Sequence, residues 1–244
     1  MTTLLYHTDS YLREMEAVVT RMEGERVVLD RTVFYAQSGG QPADHGTLSW
    51  PEGEARVVDV RRRGDEILHQ LAGPVPAAGT RVRGVLDWAR RYALMRAHTA
   101  LHVLCGVIWR DYGAAVTGGS MEPGSARMDF ELERMSADFA AEVEARANAE
   151  IAADREIRVR ILPRTEAFAI PDLIRTRINL LPEGIEEVRV VELVGLDLQA
   201  DGGTHVARTG EVGRIRVTGH ESKGRINKRL RLAIVDPVSS SYRS

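Results

Sequence analysis

The stretch WARRYALMRAHTALHVLCGVIWRDYG, residues 88–113, decides the fold of this chain. Its apolar residues recur at intervals of three and four until Gly113, which predicts one long helix. His98 and His102 are four residues apart, so a helix places both rings on one face, within reach of one metal ion. Two structural histidines on a partly buried helix would show the same spacing. A zincin protease has Glu directly after its first histidine, but Thr99 occupies that position, which argues against such a protease.

Residues 1–88 are a series of short apolar runs separated by turn signals. The runs are AVVTRM, RVVLDRTVFY, GTLSW, ARVVDVR, EILHQL and RVRGVLD, and clusters of glycine and proline at 38–42 and 73–79 lie between them. Short runs between frequent breakers are typical of strands. We therefore expect a small β-barrel or sandwich over residues 1–88, with a domain boundary near residue 88.

Residues 89–244 mix helical and strand patterns. A loop and a strand are expected over 116–132, and Ser136 is the expected N-cap of a second, alanine-rich helix. EIRVRIL is the next predicted strand, one or two short helices are expected over 163–180, and EVRVVEL, EVGRIRVTGH and KRLRLAIV are further strands. This order predicts an α+β domain over residues 89–244.

A third histidine follows two glycines in DLQADGGTHVARTGEVG, residues 197–213. Gly202 and Gly203 would let the backbone turn tightly and aim the ring of His205 inward. An ordinary turn is the alternative interpretation of this segment. Together with the histidine pair of the helix, about a hundred residues earlier, this histidine forms a more specific pattern than either part alone.

The single cysteine, Cys105, excludes an internal disulfide and a four-cysteine zinc site. It lies three residues after His102 on the same face of the predicted helix. Small apolar neighbours make an ordinary core residue the simpler interpretation.

The net charge of −2 gives no overall attraction to nucleic acid, so an RNA contact has to come from a local basic patch. The 33 basic residues include only two lysines, and both lie in ESKGRINKRLRLAI, residues 221–234. The candidate phosphate contacts are Lys223, Arg225, Lys228 and Arg229. A charged, solvated edge strand is the alternative interpretation.

No apolar run approaches the roughly 20 residues that span a bilayer. The first residues, MTTLLYHTDSYLREM, become charged before an apolar segment of signal-peptide length forms. We therefore expect no membrane partner and a cytoplasmic location.

Two motifs together resemble a known family. RAHTALH, residues 96–102, and DGGTHVARTGEVG, residues 201–213, resemble the HxxxH and CGGTHxxxTGxxG signatures of the editing domain of alanyl-tRNA synthetase and of its free-standing relatives, the AlaX alanyl-tRNA editing proteins. TVFYAQSGGQPADHG (32–46) resembles the glycine motif of their longer members, GSARMDFEL (124–132) their RxDF segment, and residues 221–234 their basic tail. The resemblance covers essentially the whole chain, with one departure: Asp201 replaces the cysteine of the motif.

The resemblance implies a small N-terminal β-barrel followed by an α+β editing domain, in which the helix carrying HxxxH packs on an antiparallel sheet. It implies one zinc ion held by His98, His102 and His205. Asp201 or a water would fill the fourth position in place of the missing cysteine, because an aspartate oxygen is an accepted zinc ligand. Cys105 is the less favoured alternative. It also implies deacylation in trans of tRNA(Ala) mischarged with serine, with glycine as a further substrate, in the service of translation fidelity. The zinc would either activate the attacking water or hold the amino group of the substrate.

Serine is the expected substrate because a small alanine pocket rejects it only imperfectly, and a second site can then select its hydroxyl. The resemblance places Thr117 as the polar partner of that hydroxyl and Gly39 and Gly40 near the substrate. Gly202 and Gly203 offer backbone N–H groups to the developing oxyanion. An ordinary strand-end threonine and two plain turns are the alternatives.

Two other functions stay open at this stage. One is a non-catalytic tRNA-binding module in which Asp201 marks a degenerate metal site. The other is a zinc hydrolase of small aminoacyl esters or amides that does not use tRNA. The sequence does not indicate an oligomeric state.

Overall fold

The structure, a computed structural model, describes residues 1–176, 181 and 184–235. The chain divides into two compact units, Met1–Leu94 and Met95–Ser244, and the division falls within one continuous helix. None of the described helices combines the length and the apolar character needed to cross a membrane.

The N-terminal unit is built around a closed six-stranded barrel in the order β2-β3-β7-β6-β5-β8. Its strands are β1 Thr3–Leu4, β2 Glu14–Glu23, β3 Arg26–Leu29, β4 Arg31–Thr32, β5 Gly46–Trp50, β6 Gly53–Arg63, β7 Glu66–Ala72 and β8 Arg81–Leu86. The short β1 and β4 form a separate parallel pair. The predicted barrel is confirmed. Closure satisfies the backbone groups of what would otherwise be two exposed edge strands.

The barrel core is filled by alternating side chains of its strands. Along β2, Met15, Ala17 and Val19 are buried while their neighbours are partly or fully exposed. Phe34 is fully buried in this core, and it has room because β8 carries a glycine next to it: a Cβ on Gly84 would lie 2.9 Å from the Phe34 ring. A glycine is therefore needed at that point for packing, rather than for an unusual backbone angle.

A buried ion pair joins the beginning of the long helix to the barrel. The guanidinium of Arg91 is fully buried and pairs with Asp44, whose side chain is 1% exposed. It also donates to the carbonyl oxygens of Ser10 at 2.9 Å and Val33 at 2.6 Å, and Asp44 accepts from the main-chain N–H of Tyr35 at 2.7 Å. Both charges are thus compensated by hydrogen bonds, as a buried pair requires. Asp44 belongs to the QPADHG string, so part of that motif has a structural role.

The long helix α1 runs from Trp88 to Tyr112, as predicted. Gly113 follows it with φ of 62°, a left-handed conformation that ends helices. Between Met95 and Ile108 nearly every side chain is buried, on all faces of the helix. A helix that is apolar all round belongs in a core. The two histidines of HxxxH are therefore placed on a rigid, enclosed element.

The C-terminal unit contains two antiparallel sheets. One has the strand order β14-β15-β10-β9 and the other β11-β12-β13. The elements after α1 are β9 Val116–Glu122, β10 Ser125–Glu131, α2 Ala137–Ala152, β11 Ile157–Pro163, α3 Arg164–Ala167, β12 Glu187–Leu193, β13 Asp197–Ala200, β14 Ile215–Ser222 and β15 Asn227–Ile234. Ser136 is the N-cap of α2, as predicted, because its Oγ accepts from the N–H of Phe139 at 3.1 Å.

Three local predictions differ from the structure. Residues 116–132 form a hairpin of two strands rather than a loop and one strand, since a turn at Gly124, with φ of 79°, joins β9 to β10. The strand expected from Glu211 begins only at Ile215, because a short 3-10 turn, Thr209–Val212, precedes it. In the segment 163–180 the only helix among the described residues is the single turn of α3, and residues 177–180 lie outside the description.

Candidate functional site

Four of the predicted residues meet at one point of the C-terminal unit. One ligand atom from each of His98, His102, Asp201 and His205 lies within 4.8 Å of the other three. The three histidines are buried, and the side chain of Asp201 is 18% exposed. This group of four residues, called the histidine cluster below, has the donor atoms and the spacing to hold a metal ion.

The helix α1 supplies two members of the histidine cluster. His98 and His102 lie one turn apart, with ring centroids separated by 5.2 Å. The ring of His205 comes from the other side and lies 4.3 Å from His98 and 4.7 Å from His102, centroid to centroid. Because α1 is buried in the core, its two rings have little freedom to move.

The loop after β13 supplies the other two members. The main-chain N–H of Asp201 donates to the carbonyl of Arg189 in β12 at 3.1 Å, and the Arg189 guanidinium donates back to the carbonyl of Asp201 at 2.9 Å. The Asp201 carboxylate then accepts from the N–H of Gly203 at 2.8 Å, which closes a tight turn. Strand pairing and this turn together bring His205 to the cluster.

Each histidine of the cluster is held through a second contact. Thr99 Oγ1 lies 3.2 Å from Nδ1 of His205, and Asp197 Oδ2 lies 2.9 Å from Nδ1 of His102. The main chain of Thr204 hydrogen bonds to His98. On His205 and His98 the Nε2 atoms lie 3.0 and 3.5 Å from the Asp201 carboxylate. These contacts orient the rings so that their Nε2 atoms face the centre of the cluster. In metal sites, histidine ligands are oriented in the same way by hydrogen bonds to residues that do not bind the metal.

Burial sets the charge of two of these rings. It lowers the pKa of His98 to about 4 and the pKa of His205 well below its ordinary value. Burial also acts against a charged His102, but the hydrogen bond and the charge of Asp197 outweigh it and raise the pKa of His102. At neutral pH His98 and His205 are uncharged, which is the form of imidazole that binds a metal. The chemistry of the donor set therefore fits a divalent ion.

Cys105 is not a member of the histidine cluster. Its side chain is buried, and its Sγ accepts a hydrogen bond from Nε2 of Gln199 at 3.3 Å. Among the described residues the structure groups Asp201, rather than this cysteine, with the three histidines.

The other predicted substrate residues lie in three places. Thr117 is an exposed residue of β9, and its hydroxyl donates to Oδ1 of Asn227 at 2.9 Å. Gly39 and Gly40, in the N-terminal unit, are exposed and form the tip of a two-residue turn, with φ of 56° and 84°. Both angles require glycine in such a turn. Gly202 is exposed in the loop between Asp201 and His205. The proposed roles of these residues in substrate binding stay predictions.

The four predicted phosphate contacts divide into two pairs. Lys223 and Arg225 are exposed in the turn between β14 and β15. Lys228 is 4% exposed and donates to two carbonyl oxygens of that turn, at 2.6 and 2.9 Å. Arg229 is 9% exposed and pairs with both oxygens of Asp129, at 2.6 and 2.7 Å. The charged ends of this second pair are engaged within the protein, where they hold the turn and the sheet, and their contact with phosphate stays a prediction.

Several residues that hold the site were missed in the sequence. Asp197 and Gln199 occupy alternate positions of β13, directly before Asp201, and their side chains are joined by a hydrogen bond of 2.6 Å. The pattern DxQxD places three polar side chains on one face of a strand, a signal that could have found them. Thr99 and Arg189 gave no such signal, because their partners are far away in the sequence.

Comparison with known proteins agrees with this arrangement. Residues 6–90 match the family described as tRNA synthetases class II (A), and residues 188–231 match the threonyl and alanyl tRNA synthetase second additional domain. The class of protein is therefore one that combines a barrel of the synthetase type with this additional domain, whose matched segment includes Asp201 and His205.

The relatives specify the family within that class. An alanyl-tRNA editing protein AlaX-M of Methanosarcina acetivorans is 40% identical over 97% of this chain and 100% of its own length. The AlaX-M protein of Saccharolobus solfataricus is 40% identical over 94% of this chain and 98% of its own length. The alanine–tRNA ligase of Pyrobaculum neutrophilum matches 87% of the chain at 40% identity, over 25% of the ligase. The chain belongs to the AlaX-M family of free-standing alanyl-tRNA editing proteins.

Proposed function

We propose that this protein is an aminoacyl-tRNA deacylase that hydrolyses the ester of Ser-tRNA(Ala), with Gly-tRNA(Ala) as a second substrate. The observation that carries the proposal is the histidine cluster, in a chain that matches free-standing AlaX-M proteins over nearly its full length. As in the free-standing relatives, the proposed substrate is a tRNA that a separate synthetase has charged, so the proposed editing occurs in trans. A carboxylic ester hydrolase needs a means of polarising the ester and a water to attack it, and the cluster offers a place for both.

The metal in this proposal is zinc. Three imidazole nitrogens and one carboxylate oxygen are typical zinc donors, and no soft thiolate is in the group. Bound there, zinc would supply Lewis acidity next to the ester. His98, His102 and His205 would hold it, with Asp201 as the candidate for the fourth position, and Thr99 and Asp197 would keep two of the rings turned toward it.

We propose that Thr117 recognises the hydroxyl of the serine substrate. Its hydroxyl already donates its proton to Asn227, so the oxygen retains lone pairs that can accept from the hydroxyl of a serine substrate. An alanine ester lacks that hydroxyl and cannot make this hydrogen bond. An editing site that depends on the bond would therefore hydrolyse the serine ester and spare the alanine ester. Asn227 thus fixes the role of the threonine as acceptor.

The proposed contacts to the oxyanion and to the tRNA phosphates involve residues that are exposed. The N–H of Gly203 already donates to the Asp201 carboxylate. We therefore propose that the N–H of Gly202 donates to the developing oxyanion. Phosphate contacts fall to Lys223 and Arg225, whose side chains are exposed. Gly39 and Gly40 are proposed substrate contacts. They belong to the proposed N-terminal domain, residues 1–88, and the proposed editing domain comprises residues 89–244.

The test uses purified protein loaded with zinc and tRNA(Ala) charged with serine, glycine or alanine. Release of serine at catalytic enzyme concentration, with the alanine ester intact, is the expected result. His98→Ala should lose both bound zinc and activity, whereas the exposed His220→Ala is the matched control and should keep both. Stoichiometric zinc without any deacylation would overturn the proposal.

The alternative of a non-catalytic tRNA-binding module has a different outcome in the same experiment. It requires tRNA affinity to persist while zinc is absent and no ester is hydrolysed. A small-ester hydrolase would instead cleave serine methyl ester and ignore the tRNA. Replacing Lys223 and Arg225 with neutral residues should slow deacylation of the charged tRNA and leave hydrolysis of that small ester unchanged.

A further inference from the structure

Behind the histidine cluster lies a second layer of buried charge. The carboxylate of Asp197 is fully buried and uses one oxygen, Oδ2, for two hydrogen bonds: from Nδ1 of His102 at 2.9 Å and from Nε2 of Gln199 at 2.6 Å. Its other oxygen, Oδ1, has no hydrogen-bond partner among the residues that the structure describes. A buried carboxylate oxygen is costly to leave unpaired, so its surroundings require an explanation.

The guanidinium of Arg175 lies close to that oxygen. Its Nε lies 3.7 Å from Asp197 Oδ1, within the range of an ion pair, and its side chain is 11% exposed. The Nε and Nη1 atoms are buried and make no hydrogen bond with the described part of the chain. The guanidinium also stacks on the ring of Trp109 of α1, 4.5 Å from its centroid. Arg175 therefore faces Asp197 and is held in place by an aromatic ring.

The backbone around Arg175 connects the two halves of the proposed site. The carbonyl of Arg175 accepts from the N–H of Val116, the residue before Thr117, at 2.9 Å. Two residues earlier, the carbonyl of Leu173 accepts from the N–H of Ala200, the residue before Asp201, at 3.2 Å. One short segment is thus bonded beside the proposed serine contact and beside a proposed metal ligand.

We propose that Asp197 and Arg175 are a positioning pair: Asp197 fixes the ring of His102 with Nε2 toward the metal, and Arg175 locks Asp197 while its backbone holds the start of β9. Neither residue touches substrate or metal in this arrangement. The inference rests on the proposed metal function of the cluster.

The test measures zinc affinity of the full-length protein by competition with a chromophoric chelator, and the absorption spectrum of the protein loaded with cobalt(II). Asp197→Leu removes the acceptor and should weaken zinc binding by about 10- to 100-fold, the usual effect of losing such an outer partner. Asp197→Asn keeps an acceptor oxygen and should recover part of the affinity. At saturating cobalt, Asp197→Leu should also shift the d–d bands, because the ring of His102 is no longer held.

Arg175→Met keeps the stacking on Trp109 and removes the charge. It should weaken zinc binding less than Asp197→Leu, and the double variant should be no weaker than Asp197→Leu alone, since Arg175 acts through that carboxylate. Glu150→Gln is the matched control: it removes a mostly buried carboxylate that pairs with Arg110 and Arg155, away from the histidine cluster. It should leave zinc affinity and the cobalt spectrum unchanged.

The outcomes separate this inference from the proposed function. Wild-type affinity and an unchanged cobalt spectrum in Asp197→Leu would overturn the positioning role, even if His98→Ala still abolishes zinc binding and activity. Additive losses in the double variant would overturn the link through Arg175. A wild-type protein that binds no zinc would overturn both proposals. Metal binding that depends on Asp197 without any deacylation would overturn the proposed function alone.

Discussion

Lowering the pH from 7 to 5 should destabilise the protein through His69 of β7, a histidine far in the sequence from the cluster. Its ring is fully buried in the barrel, where Nδ1 lies 3.3 Å from the carbonyl oxygen of Val27 and Nε2 lies 2.8 Å from Oγ1 of Thr32. The carbonyl can only accept, so Nδ1 carries the proton and a neutral ring accepts from Thr32 through Nε2. Burial lowers the pKa of this ring from 6.5 to about 4.

The magnitude follows from these two pKa values. Between pH 6.5 and about 4 the unfolded chain binds a proton at this ring and the folded barrel does not, so stability falls as the pH falls. Each pH unit in that window is worth about 1.4 kcal/mol. Above the unfolded pKa, His69 makes its full contribution to the free energy of unfolding. At pH 5 that contribution has fallen by about 2 kcal/mol, and below the folded pKa the total loss is roughly 3 kcal/mol.

The assay is urea unfolding at pH 7 and pH 5, without metal, for wild type and His69→Gln. The substitution itself changes the free energy of unfolding at pH 7. The quantity to compare is therefore the difference in free energy of unfolding between pH 7 and pH 5, measured for each protein. That difference should be smaller in the variant by about 2 kcal/mol. His98 and His205 titrate in both proteins and cancel. The exposed His220→Gln is the control and should behave as wild type. Equal pH-dependent losses in wild type and His69→Gln would refute the reasoning.

Three further predictions concern other parts of the chain. Asp201→Cys should tighten zinc binding by roughly tenfold, about 1.4 kcal/mol, because a thiolate is a softer ligand; unchanged zinc content in Asp201→Ala would remove this residue from the ligand set. Asp44→Ala leaves the Arg91 charge buried and unpaired, and should lower the free energy of unfolding by about 3–5 kcal/mol; a loss below 1 kcal/mol in urea titration would contradict that role. Ser136→Ala should cost about 1 kcal/mol through loss of the α2 cap, with zinc affinity unchanged as the check.

Local patterns were sufficient for much of the fold. The spacing of apolar residues and Gly113 predicted α1 to within one residue, because helical periodicity and termination are local properties. The short runs of residues 1–88 predicted strands for the same reason. The order in which those strands pair, and the closure of the barrel, depend on contacts between distant runs, and no single run contains that information.

The candidate site shows the same division. The HxxxH spacing and the glycine turn indicated His98, His102 and His205, since each motif aims its side chains by local geometry. For the fourth position the sequence favours Asp201 or a water over Cys105, because a lone cysteine among apolar residues is typical of a core. The structure groups the aspartate with the histidines, and the thiol is turned toward Gln199.

What the sequence by itself determined is therefore the set of elements, the three histidines and the family resemblance. Only the tertiary structure decided which side chains contact and orient the three histidines. Asp197 and His102 are 95 residues apart in the chain, and Thr99 and His205 are 106 apart, yet each pair is in hydrogen-bonding distance. The same is true of Arg229, whose charge is neutralised by Asp129 from a neighbouring strand. Such contacts arise from packing and strand register, which bring together residues that no local pattern relates.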